Sequence, residues 1–270
     1  MKKSVKILLI ILCIALVCVF AYSAYRVYQT VFAPGGYYQS NKNAQAVQQT
    51  YTKPASTAAP TPVPAGTEVA KVEEEVILDP EVSPIDVDFE ALQKRNPDIV
   101  GWIYCPNTVI NYPVVQTDDN MYYLHRDIDG NYSSYGTLFV ECLSQKGFKD
   151  NNNIIYGHHM NDGKMFAKLV DYAYQSYYDE HPVLYLNTPE RNYRIELFTG
   201  YVTSMDSDTY KITFDNEAEN QAYLDSVISQ SKFKSDVDVK TGDKICTLST
   251  CTYDYDDARF VVQGKMVAIH

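Results

Sequence analysis

The sequence predicts a mostly β protein, an antiparallel barrel or sandwich with helices at its N-terminus and in its loops. Three observations point there. Eight short runs rich in Val, Ile, Tyr and Phe are separated by Gly, Pro, Asn or Asp, the spacing of an all-β domain. Tyrosine is abundant, 24 residues against a single Trp, and amphipathic rings suit half-buried strands. Two stretches of helical period interrupt the strand series.

Residues 1–6 form a basic tip with Lys2, Lys3 and Lys6. The apolar run from Ile7 to Tyr28 follows, broken by Ser23 and Arg26. About 20 apolar residues span a bilayer as a helix, so 7–28 reads as a transmembrane anchor. The basic flank predicts a cytoplasmic N-terminus and a chain that continues outside the cell. A cleavable signal peptide is the rival reading, but its apolar core is usually about 7–15 residues. Cys18 follows Val17, which is too bulky for a lipidation site. Residues 29–81 are rich in Ala, Thr, Gln, Ser and Pro without a sustained apolar period. Such a stretch cannot bury enough surface to fold alone and is expected to be a disordered extracellular stalk. About 45 flexible residues reach roughly 35–40 Å.

The folded domain is expected over 82–270. "DFEALQKRNPDIVGWI" opens it with a short helix, Phe89 and Leu92 on one face and Asn96-Pro97 as the stop. Strand runs follow in "IVGWIYC", "VINYPVVQ", "GTLFVEC", "NNIIYGHH", "VLYLNT", "NYRIELFTGYVTS", "KICTLSTC" and "FVVQGKMVAI". Between them, "GKMFAKLVDYAYQ" places Met165, Phe166, Leu169, Val170 and Ala173 on one helical face. "NEAENQAYLDSVISQ" predicts a second helix, from about Asn216 to Gln230, just before the last two strands.

Apolar content of 46% and charged content of 21% suit a chain with a packed core. The net charge of −11 argues against nucleic acid as a partner, since that needs a basic face. Six cysteines are present, and Cys13 and Cys18 lie in the anchor. Cys105, Cys142, Cys246 and Cys251 are too sparse for a disulfide framework in a domain this large. Adjacent histidines do not chelate together easily, and no third ligand at metal-site spacing appears, so no metal is expected.

Two segments carry candidate chemistry. In "NNIIYGHHM" an apolar strand ends at Gly157 and two imidazoles, His158 and His159, follow at once; a strand end presents such groups rigidly. His125 reads as a strand or helix cap. In "TLSTCTYDYDDAR" the thiols of Cys246 and Cys251 lie five apart, so on a strand they face opposite sides. A nucleophilic thiol needs an imidazole to manage its proton and a donor for the developing oxyanion. Arg259, beyond a loop long enough for a hairpin, opens the next strand and can return beside Cys251. Its guanidinium cannot act as a base. The competing reading pairs it with Asp254, Asp256 or Asp257.

Taken together, "TLSTC" with a downstream Arg, "YGHHM" with a following "DG" and "MF", "INYPVVQTDDNMYYL" and "RFVVQGKMV" resemble the sortases, cysteine transpeptidases of Gram-positive bacteria, and more narrowly class B. The resemblance runs from about Val87 to the C-terminus. It implies a sortase-type closed β-barrel, with the helix near 216–230 in the long loop typical of class B. It implies Cys251 as nucleophile, His158 as general acid/base with His159 only a neighbour, and Arg259 as oxyanion or substrate partner. Ser249 matches the hydroxyl of the oxyanion region, and Asn120 and Leu124 match positions lining the substrate groove. The implied reaction cleaves a C-terminal sorting signal of surface proteins, of N/S-P-x-T-x type, after Thr through a thioacyl intermediate. An amine of a peptidoglycan stem or cross-bridge then accepts the acyl group, and no cofactor is required. Without an acceptor the same site hydrolyses. The alternatives are a plain cysteine protease and a pilus-polymerising sortase. A papain-like order would place Cys before His, and here His158 precedes Cys251. Two departures stand out: Glu141 where the family pattern has Asp, and a short interval between Cys251 and Arg259.

Overall fold

The computed structural model describes residues 3–55, 81–252, 254 and 256–270. Helix α1 spans Lys3–Val31 and α2 Tyr37–Tyr51; β1 (Thr52–Pro54) pairs with β2 (Ile85–Val87), and α3 covers Phe89–Arg95. Then come β3 (Ile99–Tyr104), β4 (Asn111–Val115), a 3₁₀ turn at Tyr122–His125, β5 (Leu138–Val140) and β6 (Asn152–Tyr156). A second 3₁₀ segment (Ala167–Ala173), α4 (Gln175–Glu180), β7 (Val183–Asn187) and β8 (Asn192–Ser204) follow. A third 3₁₀ turn at Asp208–Tyr210, α5 (Glu217–Ser229), β9 (Ile245–Cys251) and β10 (Ala258–Ile269) complete the chain.

Eight strands close into a barrel in the order β10-β8-β7-β3-β4-β5-β6-β9. The barrel class read from the strand spacing is therefore the observed one, and the sandwich is not. The pairing corrects the expectation of an antiparallel sheet. β4 runs parallel to β5 and β6 runs parallel to β9. Parallel neighbours need a long crossover. Residues 157–244, with two further strands inside them, separate β6 from β9.

Inward side chains fill the barrel: Ile103, Val114, Leu138, Ile155, Leu186, Leu197, Leu248 and Val262 are all buried. Each such residue contributes roughly 1.5–3 kcal/mol by leaving water. The outer face of β3 and β4 is also covered, with Trp102, Ile99 and Val115 packed against Leu92 of α3 and Val47 of α2. Helix α5 covers the opposite flank, where Tyr223, Leu224 and Val227 meet Tyr201 and Val261. Its first turn is capped as a Ser/Asn-x-x-Glu sequence caps: Asn216 accepts from the Glu219 N–H, and Glu219 accepts from the Asp215 N–H.

The stalk expected over 29–81 is corrected in its first half. Residues 37–51 form α2, and 52–54 extend into the β1–β2 ribbon. Gln48 Nε2 donates to the Asn111 carbonyl at 2.6 Å, and the hydroxyls of Ser40 and Ser133 lie 3.0 Å apart. The physical reason is that α2 buries only Ser40 and Val47 and is otherwise held by polar contacts. A search for apolar period does not see a helix of that kind. The remainder of the stalk, 56–80, lies outside the described residues. The single helix expected over "GKMFAKLVDYAYQ" is also corrected. Met165 has φ 55° and bridges to His159, so helix begins only at Ala167, and as a 3₁₀ segment. Among the described residues, one helix segment, Leu9–Val31 of α1, is long and apolar enough to cross a membrane.

Candidate active site

The parallel pairing of β6 and β9 builds the site. Tyr156 of β6 is level with Ser249 of β9. His158 follows Tyr156 by two residues, as Cys251 follows Ser249. The link continues past the ladder, because Gly157 N donates to the Ser249 carbonyl at 3.1 Å and Thr250 Oγ1 to the Gly157 carbonyl at 2.8 Å. Gly157 is required by space. A Cβ there would collide with the Leu138 side chain and lie 2.6 Å from the Phe166 ring. Gly157→Ala is expected to lower stability by about 1–3 kcal/mol through overpacking. Thermal unfolding checks this; an unchanged midpoint would contradict the close packing.

Cys251 ends β9 with its side chain exposed, while Cys246 is fully buried in the core. The opposite-face reading of the two thiols therefore holds. Burial pushes the Cys246 thiol far up, so it stays protonated and inert. All six cysteines are free.

Arg259 is the antiparallel partner of Cys251 in the β9–β10 ladder. The short interval between them does not prevent this pairing. Thr252 N donates to the Ala258 carbonyl at 3.1 Å, and Asp257 takes the left-handed conformation with φ 61°. Asp tolerates that region better than most residues. The Arg259 guanidinium donates to the Ala258 carbonyl and reaches the Met205 sulfur. Asp254 instead accepts from the Thr252 hydroxyl.

His158 is held by the Tyr122–His125 turn. Its Nε2 lies 2.6 Å from the Leu124 carbonyl, and its ring stacks on His125 at 5.4 Å between centroids. A carbonyl only accepts, so Nε2 carries the hydrogen and Nδ1 keeps the basic lone pair. Burial lowers the His158 pKa, the Leu124 carbonyl opposes that shift, and His125 adds to it. His159 turns the other way, its Nδ1 2.9 Å from the Cys251 carbonyl. It thus touches the backbone of Cys251, a contact that its reading as a neighbour did not include.

Ser249 is buried, and its hydroxyl lies 2.9 Å from that of Tyr210. Tyr210 stacks on Tyr156 at 6.0 Å, and Tyr156 donates to Glu141 at 2.9 Å. Asn120 donates to both Glu141 oxygens at 2.9 Å and accepts from Cys142 N at 2.8 Å. Burial works against the Glu141 charge. The donors Asn120, Tyr156, the Leu143 N–H and the Cys142 thiol outweigh it and hold the carboxyl below its usual range. Glu141 is therefore the hub joining Asn120 to the tyrosine pair. Sequence reasoning marked it only as a departure from a pattern, and it missed Tyr156 and Tyr210. The turn carrying Tyr210 is pinned from below: Asn152 Nδ2 donates to the carbonyls of Thr209 and Lys211. Leu124 packs its side chain against the second core and offers its carbonyl to His158. Among the described residues, no group of three or more His, Cys, Asp or Glu side chains could hold a metal ion.

A closed barrel with a thiol, an imidazole and a guanidinium at the ends of adjoining strands suits the class of cysteine-dependent acyl-transfer enzymes. Comparison with known proteins narrows the class. The sortase-domain family profile matches residues 103–267. Sortase B of Listeria monocytogenes is 38% identical over 182 residues, covering 67% of this chain and 74% of that protein. The Staphylococcus aureus sortase B-substrate complex superposes with TM-score 0.65 at 35% identity, covering 67% of this chain and 85% of that one. Sortase B from Bacillus anthracis in complex with AAEK1 gives TM-score 0.68 at 32% identity, covering 86% of this chain and 98% of that one. The chain belongs to the sortase family, and within it to class B. It is accordingly a cysteine transpeptidase of the cell wall.

Proposed function

We propose that the chain is a membrane-anchored transpeptidase that cleaves a sorting signal after Thr and joins the surface protein to an amine of peptidoglycan. The observation that carries the reading is the meeting of three residues at one barrel edge. Cys251 and Arg259 are ladder partners, and His158 follows the strand that runs parallel to the cysteine strand.

In this reading the Cys251 thiol gives its proton to His158, and Sγ adds to the Thr carbonyl carbon. Arg259 stabilises the resulting oxyanion. The C–N bond then breaks, and His158 returns the proton to the leaving amine. A thioester remains on Cys251. An incoming amine attacks it, His158 takes a proton from the attacking nitrogen, and the thiolate leaves. Ser249, Asn120 and Leu124 border the groove that holds the signal, an N/S-P-x-T-x type peptide. The S. aureus neighbour, a sortase B-substrate complex, supports a sorting-signal substrate of some kind. The apolar helix α1 and its basic tip support a single-pass anchor with the N-terminus inside and the barrel outside. The charge of −11 suits neither nucleic acid nor an anionic surface as a partner.

The test uses residues 30–270, which retain α2 and the β1–β2 ribbon. Quenched fluorescent x-P-x-T-x peptides are incubated with and without an amine acceptor such as a diaminopimelate-containing stem, and products are read by mass. A ligated product that depends on Cys251 is expected. Release of free acid alone with every acceptor tried would overturn the transpeptidase reading in favour of a protease. Arg259→Ala is expected to lower kcat/KM by about 10²–10³-fold. A loss below about fivefold, in the same assay, would remove Arg259 from the oxyanion role.

A further inference from the structure

One short segment grips His158 twice. Leu124 offers its carbonyl to Nε2 at 2.6 Å, and the next residue, His125, lays its imidazole on the His158 ring with an interplanar angle of 22°. His125 is exposed, while His158 is largely covered. The groups around the pair make the contact selective. Tyr132 approaches the outer side of His125 at 6.4 Å. Arg126 is turned away, its guanidinium 4.6 Å over the Tyr122 ring. Asp127 is occupied by the N–H groups of Asp129 and Asn131. On the other side Phe166 N binds the His158 carbonyl, and His159 points to the Cys251 carbonyl. Among the described residues, neither stacked imidazole hydrogen-bonds to a carboxylate.

We propose that His125 is a positioning residue for the transpeptidation reaction, fixing the plane of the His158 ring and, when protonated, opposing a second proton on His158. The inference rests on His158 as the acid/base of the reaction, and it assigns a task to a residue that sequence reading treated as a cap. Two stacked imidazoles cannot both hold charge at this distance without repulsion. Burial already disfavours a proton on the covered His158 ring, and the His125 ring beside it adds to that, so Nδ1 of His158 remains available to accept the thiol proton.

The test reads the His158 imidazole by NMR titration of residues 30–270, alongside kcat/KM as a function of pH, in the wild type, His125→Ala and His125→Phe. His125→Ala removes both the flat contact and the charge. It is expected to raise the His158 midpoint and to lower kcat several-fold. His125→Phe restores the flat contact without a charge. It should recover kcat near neutral pH while keeping the raised midpoint and the matching shift of the acid limb. A His158 midpoint equal to wild type in both variants would overturn the proposal, as would a kcat that Phe fails to recover. The titration does not depend on turnover, so a failure of His158 as acid/base, seen as a His158→Ala variant that keeps its activity, is a separate outcome.

Discussion

Cys251→Ala loses acyl transfer while the barrel stays folded. The expected fall in kcat/KM is about 10⁴-fold or more, because without the thiol there is no thioester and only binding and oxyanion stabilisation remain. The substitution removes no core packing, since Cys251 ends β9 with an exposed side chain. Its thermal midpoint should therefore match the wild type within the small range typical of surface substitutions. Mass spectrometry of the wild type with signal peptide and no acceptor should trap an acyl adduct on Cys251, and the variant should show none. A variant that kept a tenth of the rate would remove Cys251 from the reaction. Of the other thiols outside α1, half-buried Cys142 is held on the Glu141 carboxylate, and desolvation together with that carboxylate keeps it protonated. Cys246 is sealed in the core, and burial pushes the Cys105 thiol up to about 11.

His158→Ala is expected to cost about 10³-fold or more in kcat/KM, since it removes both the acceptor of the thiol proton and the donor to the leaving amine. The wild-type pH profile is expected to carry the signature of the same ring. Burial, aided by His125, lowers the His158 pKa below the usual histidine value of about 6.5. The neutral imidazole therefore persists into mildly acid solution, and activity declines only as the pH falls through that lowered value. Stability follows the same sign. Above about 6.5 neither folded nor unfolded chain holds a proton there. Between that pH and the lowered folded value the unfolded chain binds more protons, so the contribution is lost as the pH falls. Rates measured between pH 5 and 8 check this. An acid limb centred above 6.5, or one that survives His158→Ala, would assign the titration to another group.

The hub at Glu141 shows how a departure from a family pattern can be absorbed. Asn120, Tyr156 and the Leu143 N–H converge on this carboxylate, and the tyrosine pair carries the connection on to Ser249, two residues before Cys251. The groove position Asn120 and the cysteine strand are thus tied by contacts that run through the side of the barrel. The same logic explains the buried polar side chains beneath α5. Asn152, Thr247, Gln263 and Tyr223 hydrogen-bond to one another and hold the turn that presents Tyr210. Buried polar networks of this kind favour one arrangement because a misplaced member leaves a partner unpaired.

Much of this was legible along the chain. Alternating Val, Ile and Tyr runs mark the strands because each strand buries at least one face. Asp88 and Asn216 mark helix starts because their side chains satisfy free N–H groups. The five-residue spacing of Cys246 and Cys251 assigns one thiol to the core and one to the surface, since side-chain direction alternates with period two. The run "YGHH" marks a strand end, and its glycine answers to the Leu138 and Phe166 side chains packed over it. Other features belong to the tertiary structure alone. Helix α2 could not be seen because polar contacts to distant residues, Asn111 and Ser133, hold it in place of an apolar stripe. The contacts of Glu141, Tyr210 and His125 were equally hidden, since each is made with a partner remote in sequence. Above all, the sequence by itself determined the strands and the reactive groups at their ends, but not which ends meet. That was decided by β6 running parallel to β9. An antiparallel pairing would use the same residues and bury the same apolar area, yet it would leave His158 and Cys251 at opposite rims of the barrel. Local chemistry fixes what each segment can become, and only the long crossover from β6 to β9 brings imidazole and thiol to one edge.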